Sequence, residues 1–582
     1  MRDKTPPHDH RLLRSLPGRA RMLGLAGAAV VGAGLLVPTG SPSAAEPVRC
    51  GPSPVPTFFA DETRQPPVAA PDWPGHYTLT AHVDAHSFHS EWPAVRTLGY
   101  SAPGAPMQYL GPTIVTERGK PIDVTVVNGL PPAGTPIFPF DQPDDRNSIT
   151  MHRHAGLQPA PSDGVPAPLQ PEIPPGGSMT NHFPNDQAAG PLWYHDHAHR
   201  NTSYHVYAGL AGFSPNTDEI EAGFPLPRGE FAQRFAIQDK KFKPDATLCY
   251  NHADPEFFGD LPVVNGTVAP KSSVEPRRYT FTLLNASDSR SYRFGLRQAG
   301  GQRANVPRMT VVGNDSGYLL HPAPVSELLV APAERYVVVV DFTGHEAENW
   351  VLTNNAPAPL GDLDEVDPDG GGIPQIMRFD VGTSSSSPDH SQIPEALPET
   401  NNGLPPEALL PDARLRTVQA AEATPGVPQL GDRDRLLDYH DEPTETPQLD
   451  SAEVWAMRNR SPDAHPIHLH MVELRLIGRW HVGRWDADGR PVPGTIGPFE
   501  PPRPHETGPK ETFVSPPDYI TAWVGRFTLP GTTVWHCHIL SHEDGAMSMV
   551  EMMRPMVVGS APQTQLPLVG SRERLDELIR QP

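Results

Sequence analysis

The segment Trp535-His-Cys-His-Ile-Leu-Ser-His542 constrains this chain more than any other. On an extended strand, side chains at i and i+2 share a face while i+1 takes the opposite one. His536 and His538 therefore point one way and Cys537 the other, so a fold that uses all three must place this strand between two separate sites. The same rule pairs His152 with His154 in Met151-His-Arg-His154 and His195 with His197 in Trp193-Tyr-His-Asp-His197. It also pairs His468 with His470 in His465-Pro-Ile-His-Leu-His470. Pro466 interrupts that third segment, which frees His465 to turn towards Cys537. With 26 histidines in 582 residues, about one His-x-His arises by chance. Four such clusters, two early and two late, do not.

A strand texture runs through the rest of the chain. Gly 50 and Pro 74 together make roughly a fifth of it, which excludes long helices and coiled coils. Residues 122–127, 279–284 and 336–341 are β-branched or aromatic and bounded by Gly, Pro or Asn, as sandwich strands are. The acidic, Gly-rich stretch 361–372 reads as a loop, and 383–411, with its serine run and many prolines, reads as a linker. These breaks predict an all-β chain with a unit at 46–215, a second at 216–382, the linker at 383–411, a third unit at 412–560 and a tail at 561–582. Only 571–580 has helical spacing, with Leu575, Leu578 and Ile579 on one face. No sequence repeat beyond the shared β texture is visible.

The balance of 46 basic and 68 acidic side chains, a net charge of −22, removes the electrostatic case for a nucleic-acid partner or an anionic membrane surface. Four arginines between Arg11 and Arg21, an apolar run over 22–37 and a small-residue site ending at Ala45 read as a signal peptide over 1–45. The mature chain is then expected to be exported, off the membrane and monomeric. Three cysteines are too few for a disulfide scaffold. In an oxidising compartment Cys50 and Cys249 can pair, leaving Cys537 for chemistry.

A thiolate, two imidazoles and a distant thioether form the donor set of blue copper electron-transfer sites. Cys537, His465, His542 and Met547 supply it, while the paired histidines supply eight further imidazoles, enough for three more coppers. Zinc suits one tetrahedral cluster but has no redox use for a thiolate wedged between two histidines of another centre.

In this order the four segments resemble the signature of the multicopper oxidases. Leu192-Trp-Tyr-His-Asp-His-Ala198, Val206-Tyr-Ala-Gly-Leu-Ala-Gly212, Val264-Asn-Gly266, Ala331-Pro-Ala-Glu-Arg-Tyr336 and Met552-Met-Arg-Pro555 extend the likeness to the branch of bacterial spore-coat laccases, bilirubin oxidase and phenoxazinone synthase. The resemblance implies three cupredoxin-like Greek-key β-barrel domains with long Pro-rich loops, and four coppers per chain. His465, Cys537, His542 and Met547, with Met549 as an alternative axial ligand, would hold the type 1 copper. His152 and His468 match the type 2 ligands; His154, His195, His197, His470, His536 and His538 match the type 3 pair. Asp163 and Glu543 match family positions that relay protons, which the reduction of O2 to water consumes. The other histidines, among them His82, His86, His89, His199 and His205, read as surface or core residues. The first cluster departs from the family in reading His-Arg-His-Ala-Gly, with Ala155 where Gly is usual.

The function implied is a laccase-like oxidase. A small aromatic donor gives up single electrons at the type 1 copper, Cys537 passes them through His536 and His538, and O2 is reduced to water at the trinuclear cluster. Two alternatives stand beside it. A cuprous oxidase in copper tolerance is suggested by Met547, Met549, Met552, Met553 and Met556, whose thioethers can hold Cu(I) or else pack a barrel edge. A copper-binding or coat protein without turnover is the other.

Overall fold

The chain is built from paired β-sheets in three successive groups. The computed structural model describes residues 50–107, 109–132, 135, 147–251, 254–301, 305–398, 405–545, 550–560 and 565–581. The leader expected at 1–45 lies outside them.

In the first group a four-stranded sheet runs in the order Val95–Ser101, His76–His86, Ile122–Asn128, Ser178–Phe183. A three-stranded sheet of Met151–His154, Trp193–Asp196 and Ala211–Phe213 shares its core, where Leu79, Val124, Val126 and Trp193 are buried together. The short strands Thr116–Glu117 and Asn216–Thr217 form a separate parallel pair. The second group sets a sheet built on Ala232–Phe242, Arg278–Asn285 and Arg335–Asp341 against a five-stranded one, around Phe281, Phe294, Val338, Trp350 and Phe379. The third joins a six-stranded sheet, which includes Ala452–Asn459 and Tyr519–Arg526, to a four-stranded sheet in the order Thr512–Ser515, His465–Leu469, Gly531–Cys537, Met553–Val558. Its core contains Trp455, Ile467, Phe513, Trp523 and Trp535, with Phe513 stacked on Trp523 at 5.0 Å. Each such fully buried large side chain contributes on the order of 2 kcal/mol.

The repeat that the sequence hides is present in the topology. Each group contains one long parallel pair: His76–His86 with Ile122–Asn128, Ala232–Phe242 with Arg278–Asn285, and Arg414–Thr424 with Ala452–Asn459. Side-chain identity diverges freely when only the pattern of burial must be kept.

Residues 50–63 form a strap along the second group before the chain enters the first. Phe59 N donates to Ala269 O, Thr63 N donates to Lys271 O, and a disulfide joins Cys50 to Cys249 across 199 residues. The helix expected at the C-terminus spans Arg572–Ile579, capped by the Ser571 side chain, with Leu575, Leu578 and Ile579 buried. A further helix, Thr202–Ala208, was not expected; its seven residues are all buried, so no polar face betrays it. Within 383–411, Leu397 packs on Phe224, Leu226 and Val312, and Leu409 and Leu410 join the core of the third group.

Candidate metal centre

All four histidine clusters lie on or directly after strands, except that His542 stands in the short helix Leu540–Glu543 that follows the last of them. Met151–His154 pairs antiparallel with Trp193–Asp196, setting His152 opposite His195. His465–Leu469 pairs antiparallel with Gly531–Cys537, setting His468 opposite His536 and Ile467 opposite Cys537. The expectation about Pro466 needs correction. The strand runs unbroken from His465 to Leu469, so His465 shares the face of Ile467, and hence of Cys537, by alternation alone.

On one face of this strand pair, Cys537 Sγ lies 3.6 Å from His465 Nδ1 and 3.9 Å from His542 Nδ1. All three residues are buried. Ser461 Oγ sits 2.6 Å from His465 Nε2 and turns Nδ1 towards the sulfur. Ile539 N donates to Sγ at 3.4 Å. Burial pushes the thiol well above its usual value despite that bond, and Glu256 and Glu543 add to the rise. Only a cation at this spot would make it a thiolate. Met547, the expected fourth ligand, lies outside the described residues, as does Met549.

On the other face, eight imidazoles converge from the first and third groups. The ring of His152 stacks on His470, and that of His154 on His468, each at 3.8 Å. His536 Nε2 lies 3.3 Å from His197 Nε2 and 3.1 Å from His470 Nε2. His538 completes the set, 5.0 Å from His154 and 5.3 Å from His195 between ring centroids. Three triplets bring their ligand atoms within 4.8 Å of one another: His152, His154, His195; His152, His468, His470; and His197, His470, His536.

The rings are held from behind. His152, His195, His468 and His536 each direct Nδ1 at a backbone carbonyl, those of Asp163, Asp196, Glu511 and Cys537 respectively. That fixes the tautomer and sends Nε2 inward. His154 is turned round, with Nε2 3.2 Å from Thr512 Oγ1 and 3.0 Å from Glu511 Oε1, so that its Nδ1 faces inward. Burial first, and neighbouring imidazoles second, hold His195, His197, His468, His470 and His538 well below the usual histidine value, so they are neutral donors at neutral pH.

The inward atoms are orphans. Nε2 of His152, His195 and His468, Nδ1 of His154, and both ring nitrogens of His538 are buried without a hydrogen-bond partner. Buried polar atoms are almost always paired, and so many unpaired lone pairs converging on one space fit a metal cluster. Imidazoles throughout, with a thiolate in the neighbouring set, fit copper.

The expected carboxylates are both in place. Asp163 Oδ2 lies 3.0 Å from His470 Nδ1, while Glu543 Oε2 and Oε1 lie 3.1 Å from His536 Nδ1 and 3.4 Å from His197 Nδ1. Three further residues join them that sequence reasoning missed. Glu511, tied to Arg335 Nη1 at 2.6 Å, contacts His154 from the seam with the second group. Glu256 Oε1 lies 3.5 Å from His542 Nε2, its carboxyl pushed up to about 8 by burial, then by Asp463 and Asp288. Ser461 orients His465. None lies in a histidine cluster, so no local signal marks them. Of the histidines set aside as core or surface, His205 is buried with Nδ1 2.8 Å from Asp196 Oδ2, and His86 and His89 bond to backbone carbonyls.

Comparison with known proteins agrees with this chemistry. Two family models, both described as multicopper oxidase, match residues 143–215 and 411–556. A laccase from Bacillus subtilis (strain 168) is 31% identical over 515 residues, covering 83% of this chain and 94% of the relative. A laccase from Bacillus stratosphericus is 33% identical over 536 residues, covering 86% and 98%. Among solved structures, the McoA multicopper oxidase of Aquifex aeolicus superposes with a TM-score of 0.67 at 23% identity, over 86% of this chain and all of that one.

Proposed function

Because this chain belongs to the multicopper oxidase family, whose members are copper-binding oxidoreductases that use small-molecule donors and oxygen, we infer that it is laccase-like and oxidises phenols or aromatic amines. Four coppers, one on His465, Cys537 and His542 and three on the eight clustered histidines, would supply one-electron oxidation of the donor and four-electron reduction of O2 to water.

The observation that carries this reading is the strand Gly531–Cys537 and its exit. Cys537 faces His465 and His542, while His536 and His538 face the other six imidazoles. Two centres are thus joined by a few covalent bonds, so electrons cross without the donor reaching the oxygen site. Full burial of the eight-histidine pocket keeps bulky donors out. His542 is the most exposed of the ligands, at 5%, and its Nε2 edge, beside Glu256, is where a donor can approach. The overall negative charge favours neutral or cationic donors. Asp163 and Glu543 can each hold a proton within 3.4 Å of a ligand imidazole and pass it towards the pocket.

Nothing among the described residues favours the cuprous oxidase. Met552, Met553 and Met556 are buried in apolar core clusters, and a Cu(I) site would need them turned outward. Export to an oxidising compartment, as a monomer, remains part of this proposal, supported by the leader-like N-terminus and the Cys50–Cys249 disulfide. No helix among the described residues is long and apolar enough to cross a membrane.

The test is oxygen uptake by the copper-loaded protein with 2,6-dimethoxyphenol, beside a Cys537→Ser variant. Uptake that vanishes in the variant supports the reading; no uptake from a fully copper-loaded wild type overturns it.

A further inference from the structure

A second site lies away from every copper ligand, in a cleft of about 350 Å³ between the first and second sheet groups. Its floor is one row of the large sheet of the second group. Arg234 is registered with Thr282, Thr282 with Val337, Val337 with Gly313, and Gly313 with Tyr318. Registered neighbours project to the same face, so the row reads cation, hydroxyl, apolar side chain, glycine, phenol. Gly313 is covered by its neighbours: a Cβ there would meet Gly317 O at 2.9 Å and the Val337 and Tyr318 side chains at 3.3 Å. Leu192 and Phe213 close the opposite wall.

The polar groups of this row are unspent. Among the described residues, neither the Arg234 guanidinium nor the Tyr318 hydroxyl has a protein hydrogen-bond partner. Burial lowers Arg234 from its usual value and raises Tyr318 well above its own, so the pair stays cationic and neutral at physiological pH. The other cation of the cleft, Arg228, is already neutralised by Glu221 at 2.9 Å. Arg234 also feels Glu221, so the two cations of the cleft share one carboxylate and a net single positive charge remains. Glu221 also lines the cleft and opposes a second negative charge on an occupant.

We propose that this cleft binds a small organic monocarboxylate, with the carboxylate on Arg234 and Thr282, an apolar body over Val337 against Leu192 and Phe213, and a polar tip at Tyr318. The volume suits a single aromatic ring with short substituents. A guanidinium–carboxylate pair in a half-buried cleft supplies direction as well as charge.

Calorimetric titration of the copper-loaded protein with 4-(hydroxymethyl)benzoate, which has no phenol to oxidise, tests this. The expected result is one equivalent bound, weakened about tenfold or more by Arg234→Gln. Tyr318→Phe should weaken it less, and neutral 1,4-benzenedimethanol should not bind. Unchanged melting temperature and copper content show that the variants are folded; should Arg234→Gln fail that check, Tyr318→Phe and the neutral probe decide. Absence of binding at millimolar probe overturns the proposal, as does full affinity in Arg234→Gln, which would put the carboxylate on copper. Inorganic phosphate binding as tightly and with the same Arg234 dependence overturns it too, leaving a plain anion site.

Discussion

Asp163 Oδ2 lies 3.0 Å from Nδ1 of His470, a contact between residues 307 apart in sequence. Thr533 Oγ1 donates to the same oxygen at 2.6 Å and Gln158 Nε2 to the other at 2.8 Å, so the carboxylate is fixed before it meets the imidazole. Asp163→Ala should cut oxygen uptake about 10- to 100-fold, as loss of an outer partner of a metal ligand does. Asp163→Asn should keep full copper content and still turn over slowly, because its amide oxygen can still accept from Thr533 and His470 while it loses the ionisable group and the bond from Gln158 Nε2. Copper per chain and uptake rate, measured on both variants, check this; wild-type rates in Asp163→Ala would remove Asp163 from the mechanism.

Among the described residues, Ser461 is the one side chain that holds His465 Nε2. In Ser461→Ala the ring gains freedom and Nδ1 loses its aim at the sulfur. The visible absorption band of the thiolate-bound copper should shift or broaden, and donor oxidation should fall about two- to tenfold, with copper content unchanged. A spectrum identical to wild type would show that packing alone orients the ring.

The buried pair Arg479–Glu506 offers a clean pH dependence. Burial alone would raise the Glu506 carboxyl, but Arg479, at 2.7 Å, outweighs it and holds the group at about 2. A depressed carboxylate stabilises the fold fully above its unfolded value near 4.5 and loses that contribution as the pH falls towards 2. The gap corresponds to about 3 kcal/mol. Denaturant titrations of wild type and Glu506→Gln should therefore differ by roughly 3 kcal/mol near neutral pH and converge as the pH is lowered below 4. A constant difference across that range would mean the pair is not coupled.

The strap at 50–63 is fastened by the Cys50–Cys249 disulfide, which closes a loop of 199 residues. In the chain-entropy picture that constraint is worth up to about 5 kcal/mol. Cys50→Ala should lower the melting temperature by about 5 °C while leaving copper content and turnover at 25 °C intact, since the strap touches no ligand. Differential scanning calorimetry with a parallel oxygen-uptake assay separates the two effects.

Much of this was legible in the sequence, for a reason specific to strands. Period-two alternation is a local rule, so His536, Cys537 and His538 announce their faces without knowledge of the fold, as do His152 with His154 and His195 with His197. The strands expected over 122–127, 279–284 and 336–341 form as Ile122–Asn128, Arg278–Asn285 and Arg335–Asp341. Alternation also settles His465, whose odd spacing to His468 places it on the opposite face with no kink at Pro466. What stayed hidden depends on contacts far apart in the chain. Glu511 reaches His154 across 357 positions, and Glu256 meets His542 across 286. Neither stands in a patterned neighbourhood. The helix Thr202–Ala208 was missed because an element buried on all sides has no polar stripe.

The odd and even positions of two adjacent strands serve as a common ruler for both centres. Deleting or inserting a single residue between His465 and His468, or within 536–538, would exchange the faces and dismantle the mononuclear and the eight-histidine sites together. Substitutions can tune one centre alone, but changes of length cannot. Lineages of this chain can therefore be expected to vary in length in their loops while holding these two strands to a fixed count, and anyone transplanting the thiolate site into another scaffold must carry both strands across as a single part.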